Sequence, residues 1–149
     1  MKRAEHGFTL LEILLVVAAI AILAGIVIVA INPGRQLGET RNAERRVDVR
    51  TILSAIQQFQ LKNGSLPSAI NTSSNCSDQE NEICKTGGSP CQTDLSELTD
   101  NQTYLTAMPV DPSAGSTGTG YFVSKSATTG RVTVCAPSAE VSETISITN

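Results

Sequence analysis

Apolar residues follow two different patterns along this chain. From Phe8 to Ile31 they run almost unbroken, interrupted only by Thr9, Glu12 and Gly25. As a helix rising ~1.5 Å per residue the run spans about 36 Å, enough to cross a hydrocarbon core of roughly 30 Å. The next stretch, "GETRNAERRVDVRTILSAIQQFQLKNG", is amphipathic. Val49, Ile52, Leu53, Ile56, Phe59 and Gln60 fall at 3- and 4-residue steps, and all but Gln60 are apolar. Arg41, Glu44, Arg45 and Asp48 are expected mostly on the other faces, pairing at 4-residue spacing. Between the two patterns stands Asn32-Pro33, a favoured N-cap followed by the residue best suited to the first helical position. Either a second helix starts there or one long helix kinks there, because Pro33 has no N–H to donate. Asn63-Gly64 supplies the stop, and residues 8 to 63 as a helical rod would reach about 84 Å.

Residues 65 to 103 are turn-rich and hold three cysteines, with one short helical turn expected in "TDLSELT". The chain then turns β-like. "YFVSKS" and "RVTVCA" flank "ATTG" as a hairpin, and "VSETISIT" alternates as a third strand. The glycines between 115 and 120 follow a Pro-rich turn and are expected in a loop. The expected fold class is α+β: a long N-terminal helix packed on a small antiparallel sheet. The expected segments are a leader at 1–7, an apolar helix at 8–31, an amphipathic helix at 32–64 and a head at 65–149. Within the head, a cysteine-bearing loop covers 68–103 and the sheet lies at about 119–149.

Composition narrows the function. The 149 residues carry a net charge of -3, with no Trp and only 3% aromatic residues. There is no basic stripe for nucleic acid, so no specific nucleic-acid partner is expected. No Ser-His-Asp arrangement, second histidine or phosphate-cradling glycine loop is present, so neither an enzyme nor a cofactor is expected. The cysteines are Cys76, Cys84, Cys91 and Cys135; beside a membrane-targeting run an even number suggests disulfides. Cys84 and Cys91 flank "KTGGSP" and could close on each other, or either could reach Cys135. With no CxxC pair and only His6, a zinc site is not expected. The three Asn-x-Ser/Thr sequons, at Asn71, Asn75 and Asn101, are within chance for a Ser/Thr-rich chain.

The opening residues are more specific. "MKRAEHGFTLLE" sets a short basic leader and Gly7 before Phe8, and puts a carboxylate, Glu12, fifth counting from Phe8. This resembles the N-terminus of type IV prepilins and of the pseudopilins of type II secretion systems. "NAERRVDVRTILSAIQQFQLKNGSLP" resembles the second half of the long pilin helix, and "YLTAMPVDP" a segment that precedes the pilin sheet. The resemblance implies that a prepilin peptidase cuts between Gly7 and Phe8 and methylates the Phe8 amine. It implies further partners: other copies of the chain in a helical homopolymer, and a membrane platform with its assembly ATPase complex. Before assembly the chain would be a single-pass protein of the cytoplasmic membrane with its N-terminus inside; afterwards it would be part of an extracellular surface filament. A carboxylate at a helix centre in lipid costs about 2.5–3.5 kcal/mol. Glu12 would offset that cost in the filament by pairing with the Phe8 amine of a neighbour, which sets axial register.

Two features depart from the family pattern. The apolar helix has no Pro, so any kink or break is expected between Gly25 and Pro33. Five arginines (Arg35, Arg41, Arg45, Arg46 and Arg50) follow the run, against Lys2 and Arg3 before it, which opposes a simple positive-inside count. The alternatives are a pseudopilin of a secretion or DNA-uptake system and a plain single-pass anchored protein. No A-x-A site follows the run as a cleaved secretory signal would require. The major pseudopilin binds calcium in its C-terminal loop, where this chain has Glu140 and Glu143. Two such acids are usually just solvated, so no metal is expected.

Overall fold

A computed structural model describes residues 7–86, 92–116 and 118–149. The proposed leader, apart from Gly7, and the candidate disulfide residue Cys91 therefore lie outside the described residues. The chain divides into two compact units, Met1–Leu37 and Gly38–Asn149.

The first unit holds helix α1, Leu10–Ile31. It runs unbroken through Gly25. A lone helical glycine costs about 1 kcal/mol relative to Ala but keeps its N–H and C=O in the ladder. The break falls at Asn32, which takes left-handed backbone at φ 48°, ψ 76°. Asn32 also caps the next helix. Its Oδ1 accepts from the Arg35 N–H at 3.3 Å, and its carbonyl accepts from Arg35 at 3.1 Å and Gln36 at 3.4 Å. Helix α2, Pro33–Asn63, therefore begins with Pro33 at its first position, where a missing N–H is harmless.

In the second unit, α2 lays Val49, Ile52, Leu53, Ala55 and Ile56 into the core. Their partners come from a four-stranded antiparallel sheet in the order β1-β2-β3-β4. Its strands are β1 (Glu82–Cys84), β2 (Gly118–Lys125), β3 (Val132–Ala136) and β4 (Ile145–Thr148). Tyr121, Val123, Val132, Val134 and Ile145 supply the inner face. The β2–β3 hairpin has the expected place, with Lys125 opposite Val132 and Gly130 at φ 69° in the turn. A single 3-10 turn, Ser96–Leu98, forms within "TDLSELT".

Two expectations need correction. The loop 68–103 contributes β1, short enough to be hidden in a turn-rich stretch, so the sheet has one strand more than the alternation suggests. The glycines of "GTG" are not loop: Gly118 and Gly120 belong to β2. A Cβ at Gly118 would lie 2.0 Å from the Glu82 carboxylate, and one at Gly120 2.8 Å from the Asp111 Cβ. Glycine is used because two side chains cross the strand closely, a tertiary requirement that resembles a loop in sequence. The cysteine pairing that the sequence leaves open is decided for one bond, in which Cys135 pairs with Cys76. Strand alternation directs Val134 inward and Cys135 to the opposite face, so the bond pins the 71–81 segment to the outside of the sheet. Cys84 is also disulfide-bonded, and no described cysteine is free.

The Cys76–Cys135 bond joins residues 59 positions apart, and closing a loop of that size stabilises by about 2–4 kcal/mol. Thermal melts of Cys76→Ser and Cys135→Ser variants should show matching losses of that order. A Tm unchanged from wild type would mean that the outer segment holds without the bond.

Candidate functional site

The N-terminal segment is built around a helix start. Thr9 has extended backbone, and its Oγ1 accepts from the Glu12 N–H at 3.2 Å. Thr9 and Glu12 stand at the N-cap and third helical positions, the spacing of a capping box. The signature "TLLE" therefore has a local role as well as the one implied by family resemblance. Glu12 lies in the first turn, near the positive end of the helix dipole, where a carboxylate is favoured. Gly7 and Phe8 precede the helix and are exposed, Phe8 by 80%. The bond between them lies outside the helical hydrogen-bond ladder, so cutting it would leave α1 whole. Helix α1 buries none of its residues and is long and apolar enough to cross a membrane. A helix apolar on every face requires lipid or other protein around it.

The second constellation lies in the second unit and centres on Arg45, which is fully buried. Its Nε and Nη2 donate to Asp111 Oδ2 and Oδ1 at 2.6 and 3.1 Å. Nη2 also donates to Ser113 Oγ at 2.9 Å. Nη1 donates to Asn42 Oδ1 at 2.9 Å and Glu140 Oε1 at 3.3 Å. Each of the five guanidinium N–H groups thus has an acceptor. Around this centre, Arg41 grips the Glu140 carboxylate with two donors, Nε at 2.6 Å. Arg46 pairs with Glu143. Asn42 exchanges bonds with the Glu140 backbone, receiving its N–H at 2.9 Å and donating to its carbonyl at 2.8 Å.

The charges follow from these contacts. Burial alone would raise the Asp111 carboxyl, but hydrogen bonds from Arg45 and Ser113 outweigh it and hold the group below the usual carboxylate range. The Arg41 hydrogen bond, with help from Arg45, likewise holds Glu140 low. The bond to Asp111 raises Arg45 further. Burial pushes the Tyr121 hydroxyl far up, reinforced by Asp48, to which it donates at 2.7 Å.

This cluster corrects the helical assignment of charges. Arg45 is not on a solvent face; Gly38, Asn42, Arg45, Val49, Ile52 and Ile56 form one continuous buried stripe at 3- and 4-residue steps. Reading only apolar residues ended the stripe at Val49, whereas extending the same spacing towards the N-terminus finds Asn42 and Arg45. Arg41, Arg45 and Arg46 pair with carboxylates distant in sequence, not at 4-residue spacing. Glu140 and Glu143 are accordingly ion-paired rather than simply solvated. Three of the five arginines that oppose a positive-inside count, Arg41, Arg45 and Arg46, are thus engaged by carboxylates of the folded head. Two sequon amides are engaged as well, Asn71 with the Glu80 carbonyl and Asn75 with Asp78. Among the described residues, no three His, Cys, Asp or Glu side chains are grouped to hold a metal ion.

Comparison with known families gives a match at the N-terminus. The prokaryotic N-terminal methylation motif covers residues 2–28, and it is the hallmark of type IV pilin-like and pseudopilin prepilin proteins. No curated protein and no solved structure matches the chain.

Leaving one partner of a buried ion pair alone costs about 3–5 kcal/mol, whereas replacing both by apolar groups can be near neutral. Arg45→Met and Asp111→Leu should each lower stability by that order in thermal melts, and the double variant should recover much of the loss. Full additivity would show that the two residues do not act as a pair. With Asp111 and Glu140 held below unfolded carboxylate values of about 4, their stabilisation is complete above that pH. It is lost as pH falls through the folded values. Melting curves from pH 7 down to pH 2 should show the decline, and Asp111→Asn should make it shallower; identical acid profiles would contradict the assignment.

Proposed function

We propose that this chain is a type IV pilin, the major structural subunit of a cell-surface filament. In this reading prepilin peptidase cuts between Gly7 and Phe8 and methylates the new Phe8 amine. The subunit is stored in the cytoplasmic membrane through α1 and then polymerises with that helix in the filament core. The observation that carries the reading is a methylation motif on a helix with no buried residue. Such a helix is suited first to lipid and then to the packed helices of identical copies. Glu12 then has a second task beyond starting the helix. Its carboxylate meets the Phe8 amine of an adjacent copy, and a subunit out of register leaves both charges buried and unmatched.

The head fits a structural role. Its most elaborate polar cluster consumes its own carboxylates on its own guanidiniums, leaving Asp111 and Glu140 no free reactive role. A pseudopilin of a secretion or DNA-uptake machine shares the same N-terminal chemistry, and filament length separates the two.

Mass spectrometry of the mature chain should find methylated Phe8 at the N-terminus. An intact Met1, or a cut near Asn32, defeats the proposal. Microscopy of sheared cells should show long surface filaments in wild type and few in Glu12→Ala, with the subunit still membrane-bound; normal filaments in the variant would remove Glu12 from assembly. Because guanidiniums occupy Glu140 and Glu143, adding calcium or a chelator should leave the Tm of the head unchanged. A calcium-dependent rise would instead favour the pseudopilin.

A further inference from the structure

Val141 and Ser142 both adopt left-handed backbone, at φ 57° and 58°, and neither is glycine. A β-branched residue is a steric outlier in that region. Such conformations persist where the surroundings over-determine them, and they concentrate at clamps and switches. Here the surroundings are grips on both sides of the pair. On one side Glu140 is held through its N–H and carbonyl by Asn42, and through its carboxylate by Arg41 and Arg45. On the other, Glu143 accepts from Asn42 Nδ2 at 3.1 Å and from Arg46. The Glu143 N–H closes the turn on the Glu140 carbonyl at 3.1 Å. Beneath it lies Gly38, where a Cβ would come within 3.0 Å of both Glu140 Oε2 and Val141 Cγ2. Helix α2 thus presents glycine where the loop presses on it.

We propose that residues 140–143 form a strained, salt-sensitive clip on α2 that can open while the rest of the head stays folded. The polar cluster divides into two parts of different permanence. The Arg45–Asp111 pair has 0% side-chain exposure on both partners and is shielded from salt. The outer pairs are accessible: 39% and 31% for Arg41 and Glu140, 48% and 35% for Arg46 and Glu143. Screening weakens only the outer pairs. Once they loosen, Val141 and Ser142 relax to ordinary backbone, and the Gly38–Asn42 turn of α2 is uncovered. Arg45 keeps its counter-charge Asp111 together with Ser113 and Asn42, and the one Nη1 donor released by Glu140 meets water in the uncovered turn. The clip lies wholly within the second unit and does not depend on whether the chain forms a filament.

The test uses the full chain in detergent. Val141→Gly and Val141→Asn suit left-handed backbone and should raise the Tm, even though glycine also loosens the unfolded chain. Hydrogen exchange read by mass spectrometry should then follow the opening. On raising salt towards about 1 M, where the Debye length is ~3 Å, residues 38–46 and 138–144 should exchange about tenfold faster together. Residues 118–136 should not change. The Glu140→Gln/Glu143→Gln variant should show the same pattern at low salt, and the wild-type salt series stands if that variant fails to fold. The proposal is overturned if both Val141 variants lower the Tm. It is equally overturned if salt leaves the two segments unchanged, or speeds exchange across the whole head.

Discussion

A single guanidinium sealed inside the head, that of Arg45, sets the terms for much of what surrounds it. A buried charge is tolerated only when every donor is met, and meeting five donors requires groups from three places in the chain. Asp111 and Ser113 come from the connection between β1 and β2, Glu140 from the segment before β4, and Asn42 from the same helix. The apolar contacts of Val49, Ile52 and Ile56 are non-directional. The ion pair adds directional contacts at fixed positions on helix and loop. Its value is in register and orientation more than in net stability, since a well-packed apolar core could replace it at little cost.

The same demand accounts for details that look unrelated. Gly120 stands in β2 at φ 76° with Asp111 over it, because the strand must leave space for the residue that answers Arg45. Gly38 is glycine because the segment carrying Glu140 comes down on the helix. The two segments resembling pilin sequences, around Arg45 and around Asp111, are the two that meet here. The disulfide acts elsewhere, on the outer face, so the head is tied at opposite sides by different chemistry.

The N-terminal unit follows a different physical logic. Helix α1 buries none of its residues among those described; its apolar surface is complete around the cylinder and suits lipid or other protein. Its chemistry is therefore local and linear: an exposed glycine and phenylalanine before the helix, a threonine cap, and a carboxylate in the first turn. Such a site is recognisable in sequence because all its parts lie within a few residues.

That contrast separates the features written locally in the chain from those that long-range contacts create. The apolar helix, the amphipathic helix, the β2–β3 hairpin and the N-terminal motif were legible in the sequence, because each rests on spacing or on turn chemistry within one segment. Asn32-Pro33 marked the junction of the helices but left open a kink or a new start. Long-range packing is what turns Arg45 inward, brings Cys135 to Cys76, makes Glu82–Cys84 a strand and places Gly118 and Gly120 in one. Each of these depends on residues far away in the chain. A charged residue on a helix looks solvent-facing until its counter-charge, 66 positions away at Asp111, is known to be there.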